Sequence, residues 1–368
     1  MKFRFALTSI VSAALIFAIG CSDDSSTSNN PPVIADSLTF DASGGGPIYV
    51  DFSAGITTTP ADPLNSTEWD IAFQAYEIHQ NSSVFGSGQT ATYPVWQDQT
   101  DSTDFTETAS APTVPNAYFT DGLGSVLTNW YNYNGNTHQL SSKNHVYIIR
   151  HNDHFYKLQI SSYYRDIGGT PVSAWYTFKW LALAGPDTSF NGVDSMGTST
   201  TTWNTSRYWE TILDATSIAN FMYYNFSSRD TMSITDEEAA SNTAWRIAFK
   251  RDAIILNGGV SGTGEVDGVD LAVIGHLDST NFDTIIDPVT IPGADFETDA
   301  YNLVIDDWYS YNPNTHSLAL TDYVYIMKDA EGNYVKFQVN SMVGNGMPPN
   351  MGTITIIYIY SGTSPSFE

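Results

Sequence analysis

The chain has 368 residues, with 14 Lys and Arg against 40 Asp and Glu, and a formal net charge of -26. Such an acidic surface repels the phosphates of nucleic acids and of anionic lipids, which excludes nucleic-acid binding and electrostatic docking on membranes. Charged residues make up only 15% of the chain and aromatic residues 14%, a balance typical of sheet proteins. The apolar content of 42% is enough for a packed core.

Residues 1–20 predict a secretory signal rather than part of the fold. Lys2 and Arg4 precede an apolar run over residues 5–19, and Cys21, the single cysteine of the chain, follows it. The run is too short for a membrane-spanning helix, and its end resembles the lipobox of bacterial lipoproteins. We therefore expect cleavage before Cys21 and lipidation of its thiol, with attachment to the outer membrane or cell surface through the lipid alone. The alternative is an ordinary secretory peptide with an incidental cysteine.

Residues 21–36 predict a lipidated cysteine followed by a flexible tether. Ser, Asp, Asn and Pro dominate residues 22–32, so this segment has little to bury. Because no cysteine remains beyond Cys21, the folded part cannot use disulfides and depends on core burial.

The rest of the chain repeats itself. The strand-like segment 69–73, Trp-Asp-Ile-Ala-Phe, recurs at 245–249 as Trp-Arg-Ile-Ala-Phe. The segment 130–140, which begins Trp-Tyr-Asn-Tyr-Asn, recurs at 308–318. Because order and spacing both hold, we interpret the chain as a tandem duplication, with repeat 1 at 37–195 and repeat 2 at 205–366. We expect the two repeats to fold as independent domains with matching strand order.

Each repeat has the pattern of β structure. Residues 146–150 and 155–160 are β-rich runs around a polar turn, which predicts a hairpin, and residues 324–328 and 335–339 repeat it. Repeat 2 ends in the apolar run 353–360, whose partner in repeat 1 is 174–180. The prediction is an all-β fold with few helices.

The order of these motifs resembles the HmuY-like family of bacterial surface lipoproteins, over residues 45–182 and more loosely 220–362. The resemblance implies two tandem HmuY-like β domains and capture of haem, or a related porphyrin, for an outer-membrane receptor. In the family, two axial His or Met side chains hold the haem, one from the segment before the Trp-Tyr turn and one from the turn region. Only repeat 2 offers a histidine in the first segment, His276.

The resemblance thus implies His276 and His316 as the ligand pair, with His138 as a single candidate in repeat 1. The aromatic side chains expected to flank such a pocket are Trp130, Tyr133, Trp308 and Tyr311. Lys157 and Lys336 recur at matched positions and offer cations for the haem propionates. The alternative for both turn histidines is packing on Tyr133 and Tyr311.

No motif predicts an enzyme or a metal centre. The sequence has no Gly-x-Ser-x-Gly segment in a strand-to-helix context, no His-Glu-x-x-His and no phosphate-binding loop. His145, His151 and His154 cluster near one hairpin, but repeat 2 does not keep them, which disfavours an ancestral metal site. The alternative function is a structural or adhesive module, or one that binds carbohydrate or protein after losing haem ligation.

Overall fold

A computed structural model gives the architecture. It describes residues 35–42, 46–95, 105–106, 108–114, 117–191, 198, 200–204, 207–277, 279–315, 317–343 and 352–368. The signal segment, Cys21 and most of the tether lie outside these residues. Within them, no helix is both long enough and apolar enough to span a bilayer.

Strands dominate the described residues. Those of repeat 1 are β1 (Asp36–Asp41), β2 (Ile48–Asp51), β3 (Ile56–Thr58), β4 (Ile71–Gln74), β5 (Glu77–Gln80), β6 (Ala91–Pro94), β7 (Gly122–Gly124), β8 (Tyr131–Asn134), β9 (Gln139–Ser142), β10 (Val146–His151), β11 (His154–Ile167) and β12 (Thr170–Ala184). After β13 (Thr201–Asn204), those of repeat 2 are β14 (Tyr208–Asp214), β15 (Met222–Asn225), β16 (Asp230–Met232), β17 (Ile247–Lys250), β18 (Ala253–Leu256), β19 (Val266–Asp270), β20 (Ala300–Asn302), β21 (Tyr309–Asn312), β22 (Ser317–Leu320), β23 (Val324–Lys328), β24 (Tyr334–Val343) and β25 (Thr353–Gly362). One α-helical turn, α1 (Asp236–Ala239), and short 3-10 turns at Pro63–Asn65, Pro186–Phe190, Gly259–Ser261, Pro288–Thr290 and Gly293–Asp295 complete the elements.

The two large sheets each combine strands of both repeats. One has the order β13-β14-β12-β11-β10-β19, so β14 and β19 of repeat 2 flank β12, β11 and β10 of repeat 1. The other has the order β1-β25-β24-β23-β6, in which strands of repeat 1 flank those of repeat 2. The two orders match, because β14 corresponds to β1 and β19 corresponds to β6. Buried and partly buried residues alternate over residues 174–182 of β12, as expected for a strand with one face in the core.

The hydrophobic cores also combine residues of both repeats. The small sheet β16-β15-β17-β18 of repeat 2 packs on the long strands of repeat 1, where Tyr224 and Phe249 meet Tyr176 and Phe178. The small sheet β3-β2-β4-β5 of repeat 1 packs on the long strands of repeat 2, where Phe52 meets Phe337. Each compact unit therefore needs the first half of one repeat and the second half of the other.

The chain path makes one unit an insertion in the other. The inserted unit, residues 127–296, joins the second half of repeat 1 directly to the first half of repeat 2. The split unit is built from residues 36–119 and 305–367. The chain passes between them along β7 and β20, which pair antiparallel, with Leu123 opposite Tyr301.

The predicted all-β class is confirmed, but the sheets do not support the expectation that each repeat folds independently. A physical reason lies in chain distance. The strand beside β12 is β14, its near neighbour in sequence, whereas the equivalent β1 is far away, and closing a short loop costs less entropy than closing a long one.

This arrangement predicts which fragments fold. A fragment of residues 125–298 should give a cooperative thermal transition as a monomer, because it contains the whole inserted unit. The matched fragment 37–195, one complete sequence repeat, should lack that transition, because its strands have lost their partners. Circular dichroism melts with sedimentation measure both, and a cooperative monomeric 37–195 would contradict the arrangement.

Candidate functional site

The tryptophans of the strongest repeated motif are core residues. Trp130 and Trp308 are each 1% exposed, and neither side chain lies at an open surface. The Trp130 indole Nε1 donates to the carbonyl of Asp252 at 3.0 Å, and Trp308 Nε1 donates to the carbonyl of Tyr76 at 3.0 Å. Both bonds join the two repeats. The expected role of these tryptophans as walls of a ligand pocket is therefore replaced by a structural one.

The tyrosines of the same motif lie at the surface. Tyr133, in β8, is 57% exposed and Tyr311, in β21, is 50% exposed. The Tyr133 hydroxyl lies 2.5 Å from Nδ1 of His138 in the turn before β9. The structure thus brings Tyr133 and His138 together, the contact expected if the turn histidine packs locally. His316, at the equivalent turn, lies outside the described residues.

His276 has a different environment. It follows β19 in the long segment 271–296, and its Nδ1 lies 2.5 Å from the carbonyl oxygen of Leu277. Because a carbonyl can only accept, a neutral His276 ring has its proton on Nδ1, and Nε2 then keeps its lone pair. Val273 and Leu277, near neighbours in sequence, are 80% and 84% exposed. A neutral imidazole with its lone pair on Nε2, in a segment with exposed aliphatic side chains, can bind a metal at the centre of an apolar ring.

The exchange of halves changes which histidines share a unit. His276 belongs to the inserted unit, because Leu271 and Ile286 of its segment pack on Val146 and Ile148 of β10. The β8–β9 hairpin that carries His138 packs on the core of the same unit through Leu140. The strands on either side of residue 316 instead pack on the split unit, through Tyr309, Leu318 and Leu320. His276 is therefore grouped with His138 rather than with the hairpin of residue 316.

The two recurring lysines are buried anchors. Lys157 is 4% exposed and its Nζ donates to the carbonyl of Thr284 at 3.0 Å. Lys336 is 2% exposed and its Nζ donates to the carbonyls of Phe105 and Thr108, both at 2.8 Å. Burial lowers the pKa of Lys157. Each lysine fastens a connecting segment of the other repeat, so neither is placed to pair with haem propionates.

Two matched aspartates hold the crossing chain, and sequence reasoning missed both. The Asp121 carboxylate accepts the backbone N–H of Gln80 at 2.7 Å and that of Val304 at 2.9 Å. Asp299 accepts the N–H of Leu256 at 2.7 Å. Burial raises the pKa of Asp121 and raises that of Asp299 to about 6, against the opposing effect of these hydrogen bonds. The sequence signal for these aspartates is that an Asp recurs immediately before both β7 and β20.

His154, at the β10–β11 turn, joins a hydrogen-bonded cluster around Asp187. Asp187 is buried and accepts from the hydroxyls of Tyr156 and Ser227, and Nδ1 of His154 lies 3.3 Å from the same carboxylate. Burial is the main cause that lowers the pKa of His151. No three His, Cys, Asp or Glu side chains in the described part of the chain are grouped to hold a metal.

A family model for HmuY protein matches the chain over residues 46–180 and 217–358. The chain belongs to the HmuY family. Both matched regions run from the first half of a repeat to the second, so each crosses between the split and inserted units.

Three solved structures that are similar to the chain have low sequence identity to it. A Tannerella forsythia apo HmuY analog has 11% identity, a TM-score of 0.31, and coverage of 90% of this chain and 98% of its own. A HmuY-like heme-binding candidate from Bacteroides vulgatus has 20% identity and a TM-score of 0.14, covering 40% and 88%. A candidate lipoprotein from Bacteroides fragilis has 16% identity and a TM-score of 0.14, covering 40% and 86%. No curated protein matches the chain.

A buried carboxyl in the split unit is strongly perturbed. Asp70 accepts the backbone N–H of Phe52 at 2.8 Å and is 5% exposed. Burial, reinforced by the charges of Asp329, Asp51 and Glu331, raises the pKa of Asp70 to about 7. In repeat 2 the equivalent position is Arg246, so this acidic environment belongs to one unit of this HmuY-family protein.

We predict that Asp70 makes stability depend on pH. Because its pKa is higher in the folded state, its contribution to the free energy of unfolding is greatest below pH 4 and is lost as the pH rises through 7. In Asp70→Asn, the free energy of unfolding should fall less between pH 4 and pH 7 than in the wild type, by roughly 2–4 kcal/mol. Urea titrations at several pH values measure it. The exposed control Glu68→Gln should leave the wild-type slope, and an unchanged slope in Asp70→Asn would contradict the assignment.

Proposed function

We propose that this HmuY-family protein binds haem or a related porphyrin at the surface of the inserted unit, for delivery to an outer-membrane receptor. Haem capture is what the family resemblance implies. Of the candidate ligands among the described residues, His276 supports the proposal best.

The environment of His276 suits an axial ligand. Its Nδ1–H is held by the Leu277 carbonyl, which orients the ring and leaves Nε2 for iron, a common arrangement in metal-binding histidines. Val273 and Leu277 expose apolar surface that a porphyrin ring would cover. A porphyrin bound there would keep its propionates towards water, which fits the buried positions of Lys157 and Lys336.

His138 is the second ligand candidate within the same unit. Its Nδ1 already contacts the Tyr133 hydroxyl, so ligation would use Nε2 and would require that Nε2 carry no proton. The tyrosine would then accept from Nδ1–H instead of donating to it. We therefore rank His276 above His138.

The alternative function is carbohydrate binding by a module that has lost haem ligation. A groove of about 360 Å³ on the inserted unit is lined by Trp175, Arg165, Glu210 and Asp214. The Arg165 guanidinium lies 4.6 Å from the centre of the Trp175 ring. An aromatic platform with acidic side chains beside it suits a sugar ring, which would stack on the indole and donate its hydroxyls to the carboxylates.

Titration with haemin separates these functions. The wild-type protein should give a sharp, red-shifted Soret band, and His276→Ala should weaken haemin binding at least tenfold, about 1.4 kcal/mol. The matched control His138→Ala, which also removes a surface histidine, should have a smaller effect. Equal binding by wild type and His276→Ala would contradict the ligand assignment, and a spectrum of free haemin in every variant would favour the carbohydrate alternative.

We propose in addition that Cys21 carries the lipid anchor, on the strength of the signal-like segment before it. Cys21→Ser should move the protein from the membrane fraction to the soluble fraction, because no thiol remains for acylation. Fractionation followed by immunoblotting measures this. The control Ser22→Ala should stay in the membrane fraction, and membrane association of Cys21→Ser would refute the anchor.

A further inference from the structure

The two crossing strands create two equivalent clefts, one beside β7 and one beside β20. In the cleft beside β20, side chains occupy the space. Tyr76 packs edge-on against Tyr309 with ring centres 5.9 Å apart. His79 stacks on Phe85 at 3.9 Å, and Tyr301 covers Phe85 at 4.6 Å.

The cleft beside β7 is open. It has a volume of about 380 Å³, within the range of small-molecule sites. Smaller residues stand at the equivalent positions: Asp252 for Tyr76, Ile255 for His79 and Leu123 for Tyr301. Because the two clefts descend from one duplicated segment, these smaller residues account for the cavity beside β7, where aromatic side chains fill the equivalent space beside β20.

A cation lies in the open cleft. The Lys250 ammonium sits 4.3 Å from the centre of the Phe221 ring. Among the described residues, no carboxylate forms an ion pair with Lys250. The equivalent position in the filled cleft is Gln74, which is exposed. The open cleft thus has a positive charge where the filled cleft has a neutral glutamine, in a chain whose net charge is -26.

The acidic groups of the cleft have partners of their own. Asp121 accepts hydrogen bonds from Gln80 and Val304, and Asp252 faces the Tyr131 hydroxyl at 3.3 Å. These bonds leave the lysine as the available charged partner for a ligand. Leu123, Phe221 and Ile255 supply apolar surface beside it.

We propose that the cleft beside β7 binds a small organic acid with an aromatic or branched apolar body. The carboxylate pairs with Lys250, and the body lies against Leu123 and Phe221. A charge-assisted bond in such a partly buried site discriminates strongly between an acid and its neutral or cationic analogue. This site is distinct from the proposed haem ligand His276, so either can fail without the other.

Calorimetric titration of the full chain with three probes of one shape tests this: phenylacetate, 2-phenylethanol and phenethylamine. Phenylacetate should bind at one site per chain, more tightly than the other two. Lys250→Gln, which copies the filled cleft, should weaken phenylacetate binding roughly tenfold or more and leave 2-phenylethanol unchanged. The control Gln74→Lys adds a lysine beside the filled cleft and should change neither.

Filling the cavity provides the second test. Leu123→Tyr and Asp252→Tyr each import a side chain of the filled cleft and should abolish binding of phenylacetate. Asp252 is exposed, so at least that variant should keep the wild-type melting curve. Absence of saturable phenylacetate binding at millimolar concentration, equal binding of phenethylamine, or full binding by both tyrosine variants would overturn the proposal. Haemin titration of Lys250→Gln should match the wild type.

Discussion

The antiparallel contact between β7 and β20 is the constraint on which the rest of the structure depends. These strands, Gly122–Gly124 and Ala300–Asn302, carry the chain out of the split unit and back into it. Asp121 and Asp299 bind backbone N–H groups where the chain crosses, and thereby fix the direction of each crossing. On either side of this crossing, both large sheets draw strands from both repeats. The buried tryptophans and lysines then fasten segments of one repeat to the other.

Duplication gave this HmuY-family chain two versions of each feature, and the versions have diverged. Asp70 stands among acidic side chains in the split unit, where repeat 2 has Arg246. One crossing cleft is filled by stacked aromatic rings, and the other holds Lys250 over Phe221. His276 has no histidine counterpart in repeat 1. The proposed binding functions therefore concern the inserted unit and its border.

The sequence predicts the β class, the duplication and the hairpins, because period-two burial and turn residues are local properties. It does not predict the exchange, since β1 and β14 are equally suitable neighbours for a long strand, and only chain connectivity selects between them. Lys157 and Lys336 show the same limit. Their recurrence was visible, but buried carbonyl partners come from segments more than a hundred positions away.

The insertion also changes how the molecule tolerates damage to its backbone. In an ordinary tandem array, one cut in the single linker releases a domain. Here two strands, β7 and β20, join the units. The segment between β12 and β14 connects two strands that are themselves held together by six residue pairs. A protease that cleaves once, either between the repeats or in one crossing strand, leaves both pieces held by non-covalent pairing or by the second strand. This connectivity makes release of a unit depend on two cleavages instead of one.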